Sequence, residues 1–181
     1  MIYDLPTSLE VCGTSYAIRS DFRAVLDICI ALSDINLSAE DKAIALIDIL
    51  YPDFSEMPHS VYEEAIKQGL WFIGCGEENQ NKKAPVLMNW EQDFKYIVSP
   101  INHVLGTEVR AIEYMHWWTF ISAYYEIGDC FFAQIVRIRD KKARGKKLDK
   151  EDREFYRKNR EIIDLKVSLS DAENEILKEW T

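Results

Sequence analysis

The stretch SLEVCGTSYAIRSDFRAVLDICIAL, residues 8–32, decides the fold because the spacing of its apolar residues changes part-way along. On either side of Gly13-Thr14, apolar residues alternate with smaller or polar ones, which is typical of a short β-hairpin, here over 8–19. From Phe22 onward, apolar residues recur at i, i+3, i+4 and i+7, the spacing of one helix face, and Ser20 is a residue type that caps such a helix. The sequence therefore predicts a hairpin followed directly by an amphipathic helix.

Helical spacing continues along most of the remaining chain. Ser38 with Asp41, and Ser60 with Glu63, are capping-box pairs that each precede an apolar stripe, and Pro52 ends the first of these helices. Further helices are predicted over 90–105, with a kink or break at Pro100; over 111–127, as a central helix buried on a wide face; from 128 through 138; over 150–164; and over 170–180, capped by Ser170 and Glu173.

These elements predict a mainly α protein, in which an N-terminal β-hairpin is followed by a compact bundle of six or seven helices. We expect one mostly helical domain over 1–168 and a short C-terminal helix over 169–181 whose packing is left open. The polar and unpatterned residues 77–88 are predicted to form a surface loop.

Length and composition are those of an ordinary globular protein. The chain has 181 residues, of which 48% are apolar and 29% charged, and its formal net charge is −9. The chain contains no run of 18 apolar residues and no basic, apolar leader at its N-terminus, so we expect neither a membrane span nor a secretory signal. The sequence indicates a soluble intracellular protein.

Charge is distributed very unevenly along the chain. Residues 1–136 contain 8 basic and 20 acidic residues, whereas residues 137–160 contain 12 basic and 5 acidic ones. This basic segment is read either as a nucleic-acid arm or as a solvated helix end that pairs with acidic residues of the chain or of a neighbouring copy. The second interpretation is favoured, because a groove reader also needs aromatic or base-reading polar groups beside its cations.

Motifs that carry chemistry are missing from the sequence. The four cysteines are scattered without a Cys-x-x-Cys pair, and no metal or cofactor is expected. Cys75, between two glycines, is interpreted as a helix stop, since the negative end of a helix dipole raises the pKa of a thiol. His116 is interpreted as a hydrogen-bonded core histidine, although a metal-dependent hydrolase built from buried carboxylates and His116 stays open as an alternative.

Several short blocks, in a fixed order, resemble the gene-product-fifteen family of siphophages and prophages of Gram-positive bacteria. The blocks are Ser20-Asp21-Phe22-Arg23, the Leu37-Ser38 turn with Lys42, Tyr51-Pro52, Phe72-Ile73-x-Cys75-Gly76, Glu91-Gln92-Asp93-x-x-Tyr96-Ile97, His116-Trp117-Trp118-x-Phe120 and Ile135-x-x-Ile138-Arg139. The resemblance covers roughly residues 15–165, and its Glu-Gln-Asp and His-Trp-Trp blocks are the most specific.

The resemblance implies a non-enzymatic tail assembly chaperone. Such a protein would bind the tape measure protein, and the tail tube protein as a further partner, while a long non-contractile tail is built in the host cytoplasm, and would be absent from the mature virion. An apolar surface with a charged rim suits a helical client. We predict that partners are bound by Trp71, Trp90, Tyr124, Tyr125, Arg137, Arg139, Lys141, Lys142 and Arg144.

Two further expectations accompany this hypothesis. The charge split between 1–136 and 137–160 predicts head-to-tail self-association into a homo-oligomer. The runner-up function is a nucleic-acid-associated phage protein that uses the basic segment 137–160, although nucleic acid is not the expected partner.

Overall fold

The computed structural model describes residues 4–77 and 85–166, and these residues confirm a mainly α fold behind an N-terminal hairpin. The elements are β1 (Ser8–Val11), β2 (Thr14–Ala17), α1 (Phe22–Ser33), α2 (Ala39–Leu50), α3 (Tyr62–Ile73), α4 (Trp90–Leu105), α5 (Trp117–Tyr125), α6 (Phe131–Ala143), α7 (Lys150–Lys158) and α8 (Arg160–Ile163), with 3-10 turns at Phe54–Glu56, His59–Val61 and Val109–Ala111. The predicted terminal helix with its Ser170 and Glu173 cap, and most of the predicted loop 77–88, lie outside the described residues.

The described residues divide into two compact units. Unit 1 comprises residues 4–77 and 113–120, and unit 2 comprises residues 85–112 and 121–166. The single domain expected over 1–168 stays a prediction. None of the helices in the described ranges has the length and apolar character needed to cross a bilayer.

The hairpin of unit 1 forms where the sequence predicts it, but its turn is Cys12-Gly13 rather than Gly13-Thr14, because Thr14 is the first residue of β2. β1 and β2 are antiparallel, with Leu9 opposite Tyr16 and Val11 opposite Thr14. The two residues between the strands, Cys12 and Gly13, have φ values of 49° and 80°, the left-handed conformation that a two-residue type I′ turn requires.

The caps of the unit 1 helices agree only in part with the predictions. At α2 the Ser38–Asp41 capping box is present, with both reciprocal hydrogen bonds. At α1 the cap is Asp21 rather than the predicted Ser20, since the Asp21 carboxylate accepts from the backbone N–H of Arg23. The predicted Ser60 cap of α3 is wrong, because a 3-10 turn occupies that position and α3 begins without a side-chain cap.

The helix predicted over 111–127 is much shorter than expected. It is limited to α5, because residues 115–117 pair with residues 20–22 as extended backbone. The N–H of Phe22 donates to the carbonyl of Met115 at 2.9 Å, and the N–H of Trp117 donates to the carbonyl of Ser20 at 2.8 Å. This pairing uses backbone groups that a longer helix would need for itself.

Unit 2 consists of α4, α6, α7 and α8 and the C-terminal part of α5. α4 continues through Pro100, so the predicted break is absent, and it ends at Gly106 with φ 68°, a left-handed cap. The predicted helix over 150–164 is divided into α7 and α8 at Asn159. Ile135 and Ile138 of α6 pack with Ile163 in the apolar core of this unit.

Candidate functional site

A buried ion pair joins α4 to α6 in unit 2. The Arg139 guanidinium is bidentate to the Asp93 carboxylate, with Nη1–Oδ2 at 2.6 Å and Nη2–Oδ1 at 3.0 Å. Its remaining N–H groups donate to the carbonyls of Leu87, Ile162 and Ile163 at 2.6 to 3.0 Å. All five donors of this guanidinium are therefore used inside the protein.

The burial of Arg139 corrects its predicted partner-binding role. Its side chain is 5% exposed and that of Asp93 is fully buried, so neither offers a surface to another molecule. Gln92, beside Asp93, extends the same arrangement, since its amide N–H₂ donates to the carbonyls of Ile162 and Asp164. These hydrogen bonds hold the backbone of residues 162–164 against α4.

The other predicted cations of α6 are paired on the surface of unit 2. Arg137 binds Asp152 at 2.8 Å, and Lys141 binds both Asp152 and Asp149. The backbone N–H of Asp152 and the ammonium of Lys141 both donate to the Asp149 carboxylate, which lowers its pKa to about 2. The bonds to Asp152 and Asp149 in turn raise the pKa of Lys141. Asp152 has a fully buried side chain, so it anchors α7 to α6 through two cations.

Two further cations at the end of α6 also have acidic partners. Lys142 binds Asp164 and the hydroxyl of Tyr156, and its ammonium lies 4.1 Å from the centre of the Tyr156 ring. Arg144 binds Asp140, one helical turn before it, at 2.5 Å. Each of these five cations therefore has an acidic partner within unit 2, and for Arg137, Lys141 and Arg144 that partner lies inside the segment 137–160 itself.

Three of the four predicted aromatic residues lie together in unit 2 and form what we call the aromatic cluster: Trp90, Tyr124 and Tyr125. The Tyr124 ring lies 5.4 Å from that of Trp90 and 5.8 Å from that of Tyr125. The Tyr124 hydroxyl donates to the sulfur of Met88 at 3.1 Å, and burial raises the pKa of this tyrosine to about 12.

The aromatic cluster is exposed at one side. Tyr125, the last residue of α5, is 77% exposed, whereas Trp90 and Tyr124 are half-buried beneath the surface. Trp90 is held at the start of α4, whose Asn89 side chain caps the helix by accepting from the N–H of Gln92. The cluster therefore offers an exposed ring on a packed aromatic base.

Trp71, the fourth predicted aromatic residue, belongs to unit 1. It is 37% exposed, and its ring meets that of Trp118 at 5.7 Å. The ring N–H of Trp118 donates to the carbonyl of Phe72, and that of Trp117 donates to the carbonyl of Ile73, both at 2.9 Å. These bonds tie α5 to the end of α3.

His116 occupies the interior of unit 1, as its core interpretation predicts. It is 3% exposed, and its Nδ1 accepts from the backbone N–H of Trp118 at 3.1 Å. With Nδ1 as an acceptor, Nε2 carries the proton and donates to the carbonyl of Pro6 at 2.9 Å. Within 4–77 and 85–166, no group of three His, Cys, Asp or Glu side chains is arranged to hold a metal ion.

A family model decides the assignment of the chain. The model described as "Bacteriophage Gp15 protein" matches residues 1–165. The chain belongs to this family. No curated protein and no solved structure matches the chain.

The most specific Gp15 blocks are internal contacts of each unit. The Glu-Gln-Asp block meets the Ile135–Arg139 block through the Asp93–Arg139 pair. The His-Trp-Trp block meets the Phe72–Gly76 block through two indole N–H bonds, and meets the Ser20–Arg23 block through backbone pairing. These residues therefore form contacts that hold each unit together.

The sequence reasoning missed one structural residue of the site, Asp152. It lies in a segment with many charges, where neither composition nor charge balance distinguishes a buried carboxylate from a solvated one. The helical spacing of the sequence did indicate that Asp152 is buried, because this residue falls on the same side of α7 as the apolar Phe155 and Tyr156.

Proposed function

We propose that this phage protein is a non-catalytic tail assembly chaperone that binds the tape measure protein, with the tail tube protein as a second partner, in the host cytoplasm. The observation that carries the proposal is the aromatic cluster, in which Tyr125 is 77% exposed above Tyr124 and Trp90. Membership of a phage family supports the setting. The virion would not retain the chaperone.

An exposed ring on a packed base suits reversible binding of a helical client. Aromatic side chains supply a large contact area and lose little conformational entropy on binding, since they have only two side-chain torsions. A client helix with apolar residues at i, i+3, i+4 and i+7 would bury Tyr125 and reach the half-buried Trp90. The client's apolar stripe would then be covered until the tail tube encloses it.

The paired cations of α6 supply a charged surface rather than a set of free cations. Arg137 is 58% exposed although it binds Asp152, and Arg144 is 55% exposed although it binds Asp140. The Arg144–Asp140 pair is of the exposed kind that exchanges partners at little cost, because such a pair contributes about 0–1 kcal/mol. This pair favours selectivity and release over tight binding, whereas Arg137 stays bound to the buried Asp152 carboxylate.

Co-expression tests this function. The chain is produced with the tape measure protein of the same phage, and the soluble fraction is analysed by size-exclusion chromatography with light scattering. We expect co-elution, with the client soluble only when the chaperone is present. Replacement of the exposed ring by Tyr125→Ser should lower the amount of soluble client about tenfold, as for loss of an aromatic hot spot.

The matched control is Ile35→Ser, which removes an apolar side chain of unit 1 that is 50% exposed. It should leave client solubility unchanged. A client that is equally soluble without the chaperone, or that responds equally to both variants, would contradict the proposed function. Retention of nucleic acid without the client, lost as salt is raised, would instead favour the nucleic-acid alternative.

A further inference from the structure

One face of α7 carries cations that lack acidic partners among the described residues. At 100° per residue, Lys150, Arg153 and Arg157 lie within about 60° of one another around the helix. All three are exposed, and no ion pair joins any of them to residues 4–77 or 85–166. We call these three residues the basic ridge.

The basic ridge lowers the stability of α7 as an isolated helix. Arg153 and Arg157 are four residues apart, a spacing at which like charges destabilise a helix. Lys146 and Lys147, also exposed, continue the positive charge before α7 begins. The other exposed edge of α7 is mixed, because Glu154 lies four residues before Lys158, the favourable order for an ion pair.

Unit 1 carries charge of the opposite sign. Its described residues include 14 acidic and 4 basic side chains, whereas those of unit 2 include 12 acidic and 15 basic ones. On α2, the exposed Glu40, Asp41 and Asp48 lie within about 100° around the helix, on both sides of Ile44, which is 40% exposed. We call these four residues the acidic face.

No ion pair neutralises the acidic face within the described ranges. Arg19, the cation near its end, donates from Nη1 to the backbone carbonyls of Asp48 and Ile49, at 2.7 Å each, and not to the Asp48 carboxylate. Asp41 uses its carboxylate to cap α2, which leaves its negative charge in place. The acidic face is thus opposite in charge to the basic ridge, lies on a helix as the ridge does, and has Ile44 as an apolar centre.

We propose that the basic ridge of one copy binds the acidic face of α2 in a second copy. The two surfaces differ, so the contact is heterologous and one copy can add to the next. Nucleic acid is the less suitable occupant, because the aromatic residues of α7, Phe155 and Tyr156, pack against the unit 2 core, and Phe155 lies on the other side of the helix from the ridge. The resulting rows of copies would suit a long client, but the contact itself requires no client.

Light scattering and sedimentation of the purified full chain test this contact. We expect association that strengthens with protein concentration at about 0.02 M salt and is lost at about 0.5 M, where charges are screened over a few ångströms. Arg153→Glu, on the ridge, should weaken association about tenfold or more. Lys158→Glu, the same charge change on the mixed edge of the same helix, should alter it less than about twofold.

A charge exchange makes the assignment specific. The variant K150E/R153E/R157E and the variant E40K/D48K should each remain monomeric, with the circular dichroism spectrum of the parent protein. Their equimolar mixture should associate, because each contact then joins opposite charges.

A parent protein that stays monomeric at low salt would overturn the proposal. So would equal effects of the two single variants, or a mixture that fails to associate. If the ridge variants lose binding to a single-stranded oligonucleotide while the parent shows no self-association, the ridge serves nucleic acid and the proposal is wrong. No tail protein is present in these measurements, so their failure is distinct from failure of the chaperone function.

Discussion

The two units of this protein are stabilised by different interactions. Unit 1 packs apolar side chains around hydrogen-bonded backbone, with Phe22 stacked on Phe120 at 4.5 Å and Val25 and Ile28 completely buried. Unit 2 has a smaller set of buried apolar residues and adds two buried carboxylates, Asp93 and Asp152, each bound to cations of α6. Negative charge remains on the surface of unit 1, whereas in unit 2 six of the twelve described acidic side chains lie in ion pairs.

This difference predicts which kind of substitution destabilises each unit most. Apolar burial has no dependence on pH and little on salt, so unit 1 should respond mainly to changes of side-chain volume. A buried ion pair costs most when one partner is removed, because the remaining charge stays in the interior without compensation. Unit 2 should therefore respond most to single changes of charge.

The largest effect is expected from Arg139→Met in unit 2. This change leaves the fully buried Asp93 carboxylate without its guanidinium and three carbonyls without a donor, so it should lower the free energy of unfolding by about 3–5 kcal/mol. Urea unfolding followed by circular dichroism measures the loss.

Two matched variants sharpen this test. Arg144→Met removes an exposed pair with Asp140 and should cost about 0–1 kcal/mol. The double variant D93L/R139M should recover much of the loss, because an apolar pair does not need compensation. If Arg139→Met cost no more than Arg144→Met, unit 2 would not depend on its buried charge and the contrast between the units would fail.

A smaller effect is expected from Phe22→Leu in unit 1. The change keeps an apolar side chain but removes the ring stacked on Phe120, so it should destabilise the protein by about 1–2 kcal/mol. The control is Phe131→Leu in unit 2, where the ring is 41% exposed and the expected cost is below about 0.5 kcal/mol. A loss for Phe22→Leu that varied strongly with salt would contradict the apolar description of unit 1.

How much of each unit was predictable from the sequence follows from the same contrast. In unit 1 the hairpin, α1 and α2 are read from apolar period and turn chemistry, since Gly13 and the Ser38–Asp41 pair have local meanings. The Ser60 cap and the helix over 111–127 were wrong, because backbone pairing between residues 20–22 and 115–117 is a tertiary contact with no local signal. Pro100 was tolerated inside α4 for a related reason: packing of the surrounding apolar residues outweighed its missing N–H.

The site in unit 2 was less predictable than the fold. Trp90, Tyr124 and Tyr125 meet as a cluster, but Trp71 belongs to the other unit, and residue type alone does not assign an aromatic side chain to a surface. Arg139 was grouped with its exposed neighbours because a charge run is read as solvated. Its position next to Ile135 and Ile138 on one helix side places it in the core.

Acid should weaken the interaction between Glu108 and Arg110, on the surface of unit 2, within a defined pH range. The side chain and backbone N–H of Arg110 lower the pKa of Glu108 to about 2, whereas the same group in an unfolded chain titrates near about 4.3. The folded pKa lies below the unfolded one, so this stabilisation is present above about pH 4 and is lost as pH falls towards 2. An NMR titration should find Glu108 ionised at pH 3, and Arg110→Gln should move its midpoint upward; an unchanged midpoint would show that Arg110 is not the cause.

The smallest expected effect is a difference in reactivity among the thiols of unit 1, which are packed to different degrees. Burial raises the pKa of Cys29 to about 12 and, together with the charge of Glu77, that of Cys75 to about 11. Since the thiolate is the reactive form, both should react with iodoacetamide at pH 8 far more slowly than Cys12, which is exposed at the hairpin turn. Mass spectrometry of partly modified protein gives the order, and in urea all three should react alike. Slow reaction of Cys29 and Cys75 would show that unit 1 is closely packed around these thiols. Rapid modification of Cys29 in the native protein would show that the apolar interior of unit 1 opens without unfolding. That result would contradict the complete burial of the neighbouring Ile28 and Val25.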